Sequence, residues 1–101
     1  MVRHEVIIRF RPEINEEVSE RVIMEVVTLL KDIPGVVSVR YGTNQTPDYR
    51  HLMLEVLVPS ESALQRFGRH PLHVRALRLL SRITATSVVS NVEVGTEHRR
   101  G

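Results

Sequence analysis

Residues 51–58, with the sequence His51-Leu52-Met53-Leu54-Glu55-Val56-Leu57-Val58, form the segment on which the prediction of the fold depends. The even positions carry only leucine and valine, whereas the odd positions include a histidine and a glutamate. This alternation predicts a β-strand with one continuous apolar face. Pro59 and Ser60 follow it and end the strand, because proline has no N–H group to donate to a sheet ladder.

The residues after this strand predict a helical region in two pieces. Ser60 is a typical N-cap residue, and the helix that it begins is expected to be interrupted at Gly68. Pro71 predicts the start of a second piece that runs to about Arg82, since proline suits the first helical position. His70 precedes this proline in the cap position, where we interpret it as a structural residue.

The rest of the chain supplies three more strands and one helix. Strands are predicted over residues 3–10, 36–41 and 87–94, and Pro34-Gly35 precedes the second of them. Asn15 is expected to cap a helix with an acidic first turn. Residues spaced four apart, with two neighbours, predict its buried stripe: Val18, Val22, Ile23, Val26, Val27 and Leu30.

This order of elements, β-α-β-β-α-β, predicts an α+β fold of the ferredoxin-like kind with a four-stranded antiparallel sheet. We assign residues 1–96 to a single domain and residues 97–101 to a flexible tail.

Length and composition restrict the classes of function. A chain of 101 residues that is 42% hydrophobic has the size and apolar content of one globular domain. It has no cysteine, which removes disulfides, thiolate metal sites and cysteine nucleophiles. A net charge of +2 and only four aromatic residues argue against a nucleic-acid partner. Short apolar runs and the absence of a signal-peptide pattern predict a cytoplasmic protein without a membrane partner.

The sheet is expected to need a partner, because two helices cover only one of its faces. We predict that the open face carries apolar residues mixed with charged ones: Ile7, Val39, Met53, Leu57 and Val89 with Glu5, Arg9 and Glu55. Such a face has too many apolar residues to remain exposed to water and too many charged residues to form the core of a monomer. We therefore predict a homodimer formed through this face, in which Arg9 of one copy pairs with Glu55 or Glu5 of the other across a two-fold axis.

Four short motifs resemble the stress-responsive dimeric α/β-barrel family: Arg3-His4, Pro34-Gly35-Val36, Gly42-Thr43-Asn44 and His70-Pro71-Leu72-His73. The resemblance covers residues 1–94, and the His-Pro-x-His motif is its most specific part. It implies a homodimer whose two sheets face each other as a barrel. Some members are cofactor-free polyketide cyclases that catalyse an aldol cyclisation, and many others have no assigned reaction.

The resemblance also implies roles for particular residues. His73 would match the general base of the cyclases, and His4 would match a histidine that lines their cavity. Phe67 stands where a tyrosine would be expected, so the phenol partner is missing. Either His51 or Leu52 would match a further histidine of the family.

The helical pattern leads to the same view of His73 without the family. Arg75, Arg78 and Arg82 mark the solvent side of the helix, and His73 lies almost opposite them among apolar residues. In the first turn, the positive end of the helix dipole disfavours imidazolium, as a neutral general base requires. The alternative is that His73 is a buried residue that donates one hydrogen bond and fills space.

His4 shares its strand face with Ile8 and is also expected to point toward the helices. His51 would lie beside His4 if the faces of their strands agree. Further residues are candidates for shaping an apolar pocket, although each also suits a simple core: Ile8, Val26, Leu52 and Phe67. His70 and His73 have the spacing of a metal pair, but no third ligand is near in sequence, so we predict no metal site.

These observations support two hypotheses of different classes. The first is a cofactor-free enzyme that binds a small apolar carbonyl compound, with His73 as base and His4 assisting an aldol-type cyclisation, lyase or isomerase step. The second is a non-catalytic dimeric module for stress response or ligand binding, in which the histidines are core residues. A cofactor-free monooxygenase is less favoured, because the chain has no tryptophan.

Overall fold

The computed structural model describes residues 1–44 and 50–95. The elements follow one another as β1 (Val2–Phe10), α1 (Glu16–Lys31), β2 (Ser38–Thr43), β3 (His51–Val58), α2 (Glu61–Arg69), α3 (Pro71–Ser81) and β4 (Thr84–Glu93). The four strands form one antiparallel sheet in the order β2-β3-β1-β4. The predicted ferredoxin-like α+β fold is therefore confirmed. The predicted tail, residues 97–101, and residues 45–49 of the predicted turn region lie outside the described residues.

The core lies between the sheet and the helices and depends on the two central strands. Val6 pairs with Leu54 and Ile8 pairs with Leu52, so the apolar faces of β1 and β3 coincide. Leu52 and Val56 are fully buried there. The alternation in residues 51–58 thus predicted both the exact bounds of β3 and its buried face.

The buried stripe of α1 differs from the predicted one. Ser19, Ile23, Val26 and Leu30 are buried, whereas Val18 is 38% exposed. Residues spaced four apart rotate by about 40° per step around a helix of 3.6 residues per turn. A stripe that alternates steps of four and three stays on one side, which is why Ser19 rather than Val18 faces the sheet.

The first residues of β2 and β4 also differ from the predictions. β2 begins at Ser38, because Gly35, at a φ of +90°, turns the chain before Val36. β4 begins three residues earlier than expected, at Thr84, where a register shift in β1 lets Phe10 pair with it.

Gly68 does not interrupt the helix, and α2 continues to Arg69. A glycine inside a helix costs only about 1 kcal/mol relative to alanine. The residue before a proline is instead driven out of the helical conformation, and His70 is extended, with φ −68° and ψ 138°. The break therefore lies at His70.

The strand register corrects the predicted membership of the open face, the side of the sheet away from the helices. Val39 pairs with Val56 and Val89 pairs with Val6, so both lie on the helix side. Directly paired residues of antiparallel strands share a face of the sheet. The predicted inner and outer faces of β2 and β4 are therefore reversed. The open face carries Ile7 as predicted.

Arginines of the same chain already contact both glutamates of the open face. Arg3 lies 2.8 Å from Glu5 and 3.9 Å from Glu55, and Arg40 lies 3.8 Å from Glu55. The predicted pairing of Arg9 with these carboxylates concerns a second copy of the chain and stays a prediction.

Arg50, which directly precedes β3, is hydrogen-bonded to α1 and to the segment before it. Its guanidinium donates to the carbonyl of Ile14 at 2.7 Å and to Oγ of the buried Ser19 at 3.1 Å. The same group lies 5.5 Å from the centroid of the Phe10 ring. Three separate elements thus meet at one partly buried cation.

We expect Arg50→Ala to lower the free energy of unfolding by about 1–3 kcal/mol, because two acceptors lose their partner in a partly buried site. Urea unfolding followed by circular dichroism measures this. Arg21→Ala is the matched control, since Arg21 forms an exposed pair with Glu17 and should change stability by less than about 0.5 kcal/mol. Equal effects of the two variants would contradict the role given to Arg50.

Candidate active site

The break between α2 and α3 places His73 in the first turn of α3. Nδ1 of its ring lies 3.0 Å from the carbonyl oxygen of Gly68. A carbonyl oxygen only accepts hydrogen bonds, so Nδ1 must carry the proton that it donates. In the neutral ring this leaves Nε2 unprotonated, with a lone pair able to accept a proton.

His4 lies on β1, opposite Asn91 of β4 in the strand register. Nδ1 of His4 is 2.6 Å from Oδ1 of Asn91. Since the amide oxygen accepts, His4 also donates from Nδ1, which in the neutral ring leaves the lone pair on Nε2. The two histidines thus have the same tautomer, each held by an acceptor on its δ side.

Phe67 lies within contact range of both histidines. Its ring centroid is 4.7 Å from that of His73 and 5.6 Å from that of His4, and the two imidazole centroids are 6.4 Å apart. Phe67 itself is buried, at 2% exposure. A strand, the end of α2 and the start of α3 together form this three-ring cluster, which we call the histidine cluster: His4, Phe67 and His73.

The histidine cluster forms part of the lining of a cavity of about 410 Å³ between the sheet and α3. Its other lining residues are mainly apolar: Val6, Ile8, Leu30, Leu54, Val56, Ala76, Leu77, Leu80, Ser81, Thr84, Ser87 and Val89. A volume of a few hundred Å³ with few polar groups is typical of a site for a small organic molecule.

Burial lowers the pKa of His73 below its ordinary value of 6.5. A positive charge on His4 lowers it further, while the hydrogen bond to Gly68 acts in the opposite direction. His73 is therefore held neutral to a lower pH than a solvated histidine.

The structure brings together four of the seven residues singled out from the sequence and separates the other three. His4, Ile8, Phe67 and His73 line the cavity. Leu52 and Val26 are buried core residues outside its lining. His51 pairs with Arg9 on the open face, so it lies on the other side of the sheet from His4. The placement of His51 beside His4 is wrong because odd positions of β3 point away from the helices.

Asn91 is the polar contact that the sequence reasoning missed. The prediction that Val89 lies on the open face placed Asn91, which shares its strand face, away from His4. The β1–β4 register instead places Asn91 opposite His4. Two residues at the mouth of the cavity were also missed as site residues: Leu77 is 51% exposed and Val89 is 55% exposed. Val89 was predicted on the open face, and Leu77 was expected only as one of the apolar residues beside His73 on α3.

His70 acts as a cap, as expected. Its Nδ1 accepts a hydrogen bond from the backbone N–H of Leu72 at 3.1 Å. Within residues 1–44 and 50–95, no three His, Cys, Asp or Glu side chains are grouped so as to hold a metal ion.

A family model for the stress-responsive A/B barrel domain matches residues 2–94. The chain belongs to this family. The resemblance read from its motifs is therefore confirmed for this A/B barrel domain. No curated protein is similar enough in sequence to be matched. Over the part of the chain that the structure covers, no helix has both the length and the apolar character needed to cross a bilayer.

Solved structures with the same fold differ in what they do. The A/B barrel domain is similar to a dimeric ferredoxin-like protein of unknown function from Thermobifida fusca, with 20% identity, a TM-score of 0.77, and coverage of 92% of this chain and 90% of that one. A hydroxynitrile lyase from Passiflora edulis has 17% identity and a TM-score of 0.79, covering 97% and 96%. An antibiotic biosynthesis monooxygenase has 14% identity and a TM-score of 0.75, covering 95% and 100%. At these identities the likeness shows the fold alone.

We expect His73 to titrate below pH 6.5 in an NMR titration of the imidazole protons, and His4→Gln to raise its pKa toward 6.5 because a neighbouring charge is removed. His51→Gln is the matched control, since it lies on the other face of the sheet and should leave this titration unchanged. A His73 that titrates at or above 6.5 in the unmodified protein would contradict the arrangement described.

Proposed function

We propose that this A/B barrel domain is a cytoplasmic homodimer that binds a small, mostly apolar carbonyl compound in the cavity and acts on it without a cofactor. In this proposal His73 is the general base of an aldol-type cyclisation or a related lyase or isomerase step. The observation that carries it is the shared tautomer of His73 and His4, which line the same apolar cavity and, in their neutral forms, each leave Nε2 unprotonated.

The proposed step requires only proton transfer and proximity. Nε2 of His73 takes a proton from the carbon beside a carbonyl, and the resulting enolate carbon attacks a second carbonyl of the same molecule. The new carbon–carbon bond closes the ring, and the imidazolium returns its proton to the alkoxide. A lyase step runs the same chemistry in reverse, with His73 removing a hydroxyl proton as the carbon–carbon bond breaks. The fold shared with a hydroxynitrile lyase is compatible with this second direction.

His4 is proposed to position the substrate. Its Nδ1 is engaged by Asn91, so Nε2 can accept a hydrogen bond from a substrate hydroxyl while His73 removes a proton elsewhere. Imidazole centroids 6.4 Å apart allow both rings to contact the same substrate molecule in the cavity. Val6 and Ile8 of β1, with Leu54 and Val56 of β3, would hold the apolar part of the molecule.

One observation favours the second candidate, a module that binds such a compound without converting it. Developing negative charge on a substrate oxygen needs a donor, and Phe67 has none. Ser81 donates its hydroxyl to the carbonyl of Arg78, and Thr84 donates its hydroxyl to the carbonyl of Leu80, each at 2.6 Å. Both hydroxyl protons are therefore engaged away from a ligand, which leaves Ser87 as the remaining hydroxyl among the described lining residues.

Turnover assays separate the two candidates. We expect a panel consisting of a short β-polyketone thioester, an aromatic cyanohydrin and an aromatic β-hydroxyketone to include a substrate. For that substrate His73→Gln should lower kcat/KM about 10²- to 10⁴-fold, the usual contribution of a general base. The acid limb of kcat/KM should fall below pH 6.5, since the neutral form of His73 persists there.

His51→Gln is the control for a histidine outside the cavity and should leave kcat/KM within about twofold, as expected for a surface change. Full activity of His73→Gln would overturn the role of His73 as base. Binding of the panel compounds in the cavity without conversion would establish the second candidate instead.

The homodimer is proposed to form through the open face of the sheet. Val88 is 67% exposed, Ile7 is 47% exposed and Met53 is 38% exposed. The register places Ile7 between the other two, because Ile7 pairs with both Val88 and Met53. A continuous apolar row across three strands is typical of a self-complementary interface. Similar structures are described as dimeric.

We expect sedimentation analysis to show a dimer that Ile7→Lys or Val88→Lys converts to a folded monomer, because a charge would be buried without a partner. Val74→Lys is the matched control, since Val74 is 40% exposed on α3, on the other side of the sheet. A dimer that resists both open-face substitutions but dissociates with the control would place the interface elsewhere.

A further inference from the structure

A second concave surface lies between α1 and α3, on the opposite side of α3 from the cavity. This groove has a volume of about 580 Å³, larger than the cavity at the histidine cluster. Its lining residues come from the two helices: Met24, Glu25, Thr28 and Leu29 of α1, with Arg75, Arg78, Leu79 and Arg82 from α3 and its C-cap.

Three arginines form one edge of the groove. Arg75, Arg78 and Arg82 are spaced by three and four residues, so their side chains follow one line along about 10 Å of α3. All three are exposed. Within residues 1–44 and 50–95, none of these guanidinium groups forms an ion pair with a carboxylate. Their positive charge therefore remains uncompensated by the described part of the chain.

The groove also has an apolar part. Leu29 and Leu79 are partly buried and pack against the core, and Met24 is 50% exposed beside them. The hydroxyl of Thr28 is engaged with the carbonyl of Met24 at 2.8 Å. Among the described residues that line the groove, Glu25 is the one carboxylate, and the three arginines outnumber it. The surface thus combines a row of cations with an apolar floor.

We propose that this groove binds a soluble small molecule that carries two linked phosphate groups attached to an apolar chain or ring. A guanidinium matches a phosphate bidentately, and neighbouring arginines present several donors to adjacent phosphates. A single exposed ion pair contributes little, so the row selects multiply charged anions over monoanions. The apolar part of the ligand lies on Leu29, Leu79 and Met24. The volume is within the range of small-molecule sites rather than that of an extended interface.

Isothermal titration calorimetry with geranyl diphosphate and with inorganic pyrophosphate tests whether the groove binds the linked phosphates and whether it also binds an apolar group. We expect both probes to bind, and geranyl diphosphate to bind at least about tenfold more tightly, since burying two methylene groups already corresponds to that factor. Amide resonances of residues 24–29 and 75–82 should shift, and those of the histidine cluster should not. Absence of binding, or shifts confined to the histidine cluster, would overturn the proposal.

Charge-removing variants assign the binding to the arginine row. Arg78→Gln should weaken binding of geranyl diphosphate about threefold, and the triple variant Arg75→Gln/Arg78→Gln/Arg82→Gln about thirtyfold, as expected for solvent-screened ion pairs. Arg66→Gln is the matched control, because Arg66 is an exposed arginine of α2 outside the groove. An equal loss in Arg66→Gln would show a response to net charge alone and would overturn the site.

Polymeric and surface-bound anions test the choice of ligand class. A poly-glutamate peptide, a single-stranded oligonucleotide and vesicles containing anionic lipid each present repeated negative charges. If any of them binds through the same arginines more tightly than geranyl diphosphate, the assignment to a soluble small molecule is wrong. His73→Gln should leave binding in the groove unchanged. The test of the groove is therefore independent of the test of the proposed catalysis.

Discussion

The absence of an N–H group on Pro71 is the constraint from which the candidate site follows. A helix continued through this point would bond each carbonyl to the N–H four residues later. Pro71 has no such group, and the N–H of Leu72, which would serve Gly68, is bound instead by the His70 ring. The carbonyl of Gly68 is satisfied by Nδ1 of His73. The break in the helix thus determines which nitrogen of His73 carries the proton.

The second histidine is fixed by sheet pairing rather than by a helix. His4 and Asn91 face each other because β1 and β4 are neighbouring strands, and the register brings their side chains to the same face. The two elements that hold these histidines, β1 and α3, are far apart in sequence, and the packing of the helices on the sheet brings the two rings to a centroid distance of 6.4 Å. The site is therefore a product of topology, since neither α3 nor β1 alone forms a cavity.

Periodicity alone predicted the parts of the structure with the strongest contrast between apolar and polar positions. β3, with its uniform apolar face, was predicted to the residue, and the break at His70-Pro71 follows from the chemistry of proline. β4 was predicted less well because threonine, serine and valine occur on both of its faces, and all of its residues after Thr84 are exposed. Where alternation carries no contrast, only strand pairing determines the register.

The same contrast between apolar and polar positions explains which site residues could be predicted from the sequence. His73 was predicted to face inward because three arginines define the outer side of its helix, and His4 because Ile8 and Phe10 define the inner face of β1. Asn91 and Val89 have no such internal reference, because apolar and polar residues occur on both faces of β4. Their roles depend on the β1–β4 register and on the uncovered edge of the sheet, which no local pattern in the sequence encodes.

The cavity exists because the helices do not cover the fourth strand. α1 packs against β2 and α3, and α2 contacts β1 and β3, so β4 extends beyond the helical layer with Ser87 and Val89 facing the gap. Ala76, which is buried at 1% exposure, adds little volume where α3 faces this gap. A larger residue there would fill the space and bring the apolar contacts to core density. The combination of a small residue on α3 with an uncovered edge strand leaves the imidazole rings beside open space, and this distinguishes the histidine cluster from an ordinary packed core.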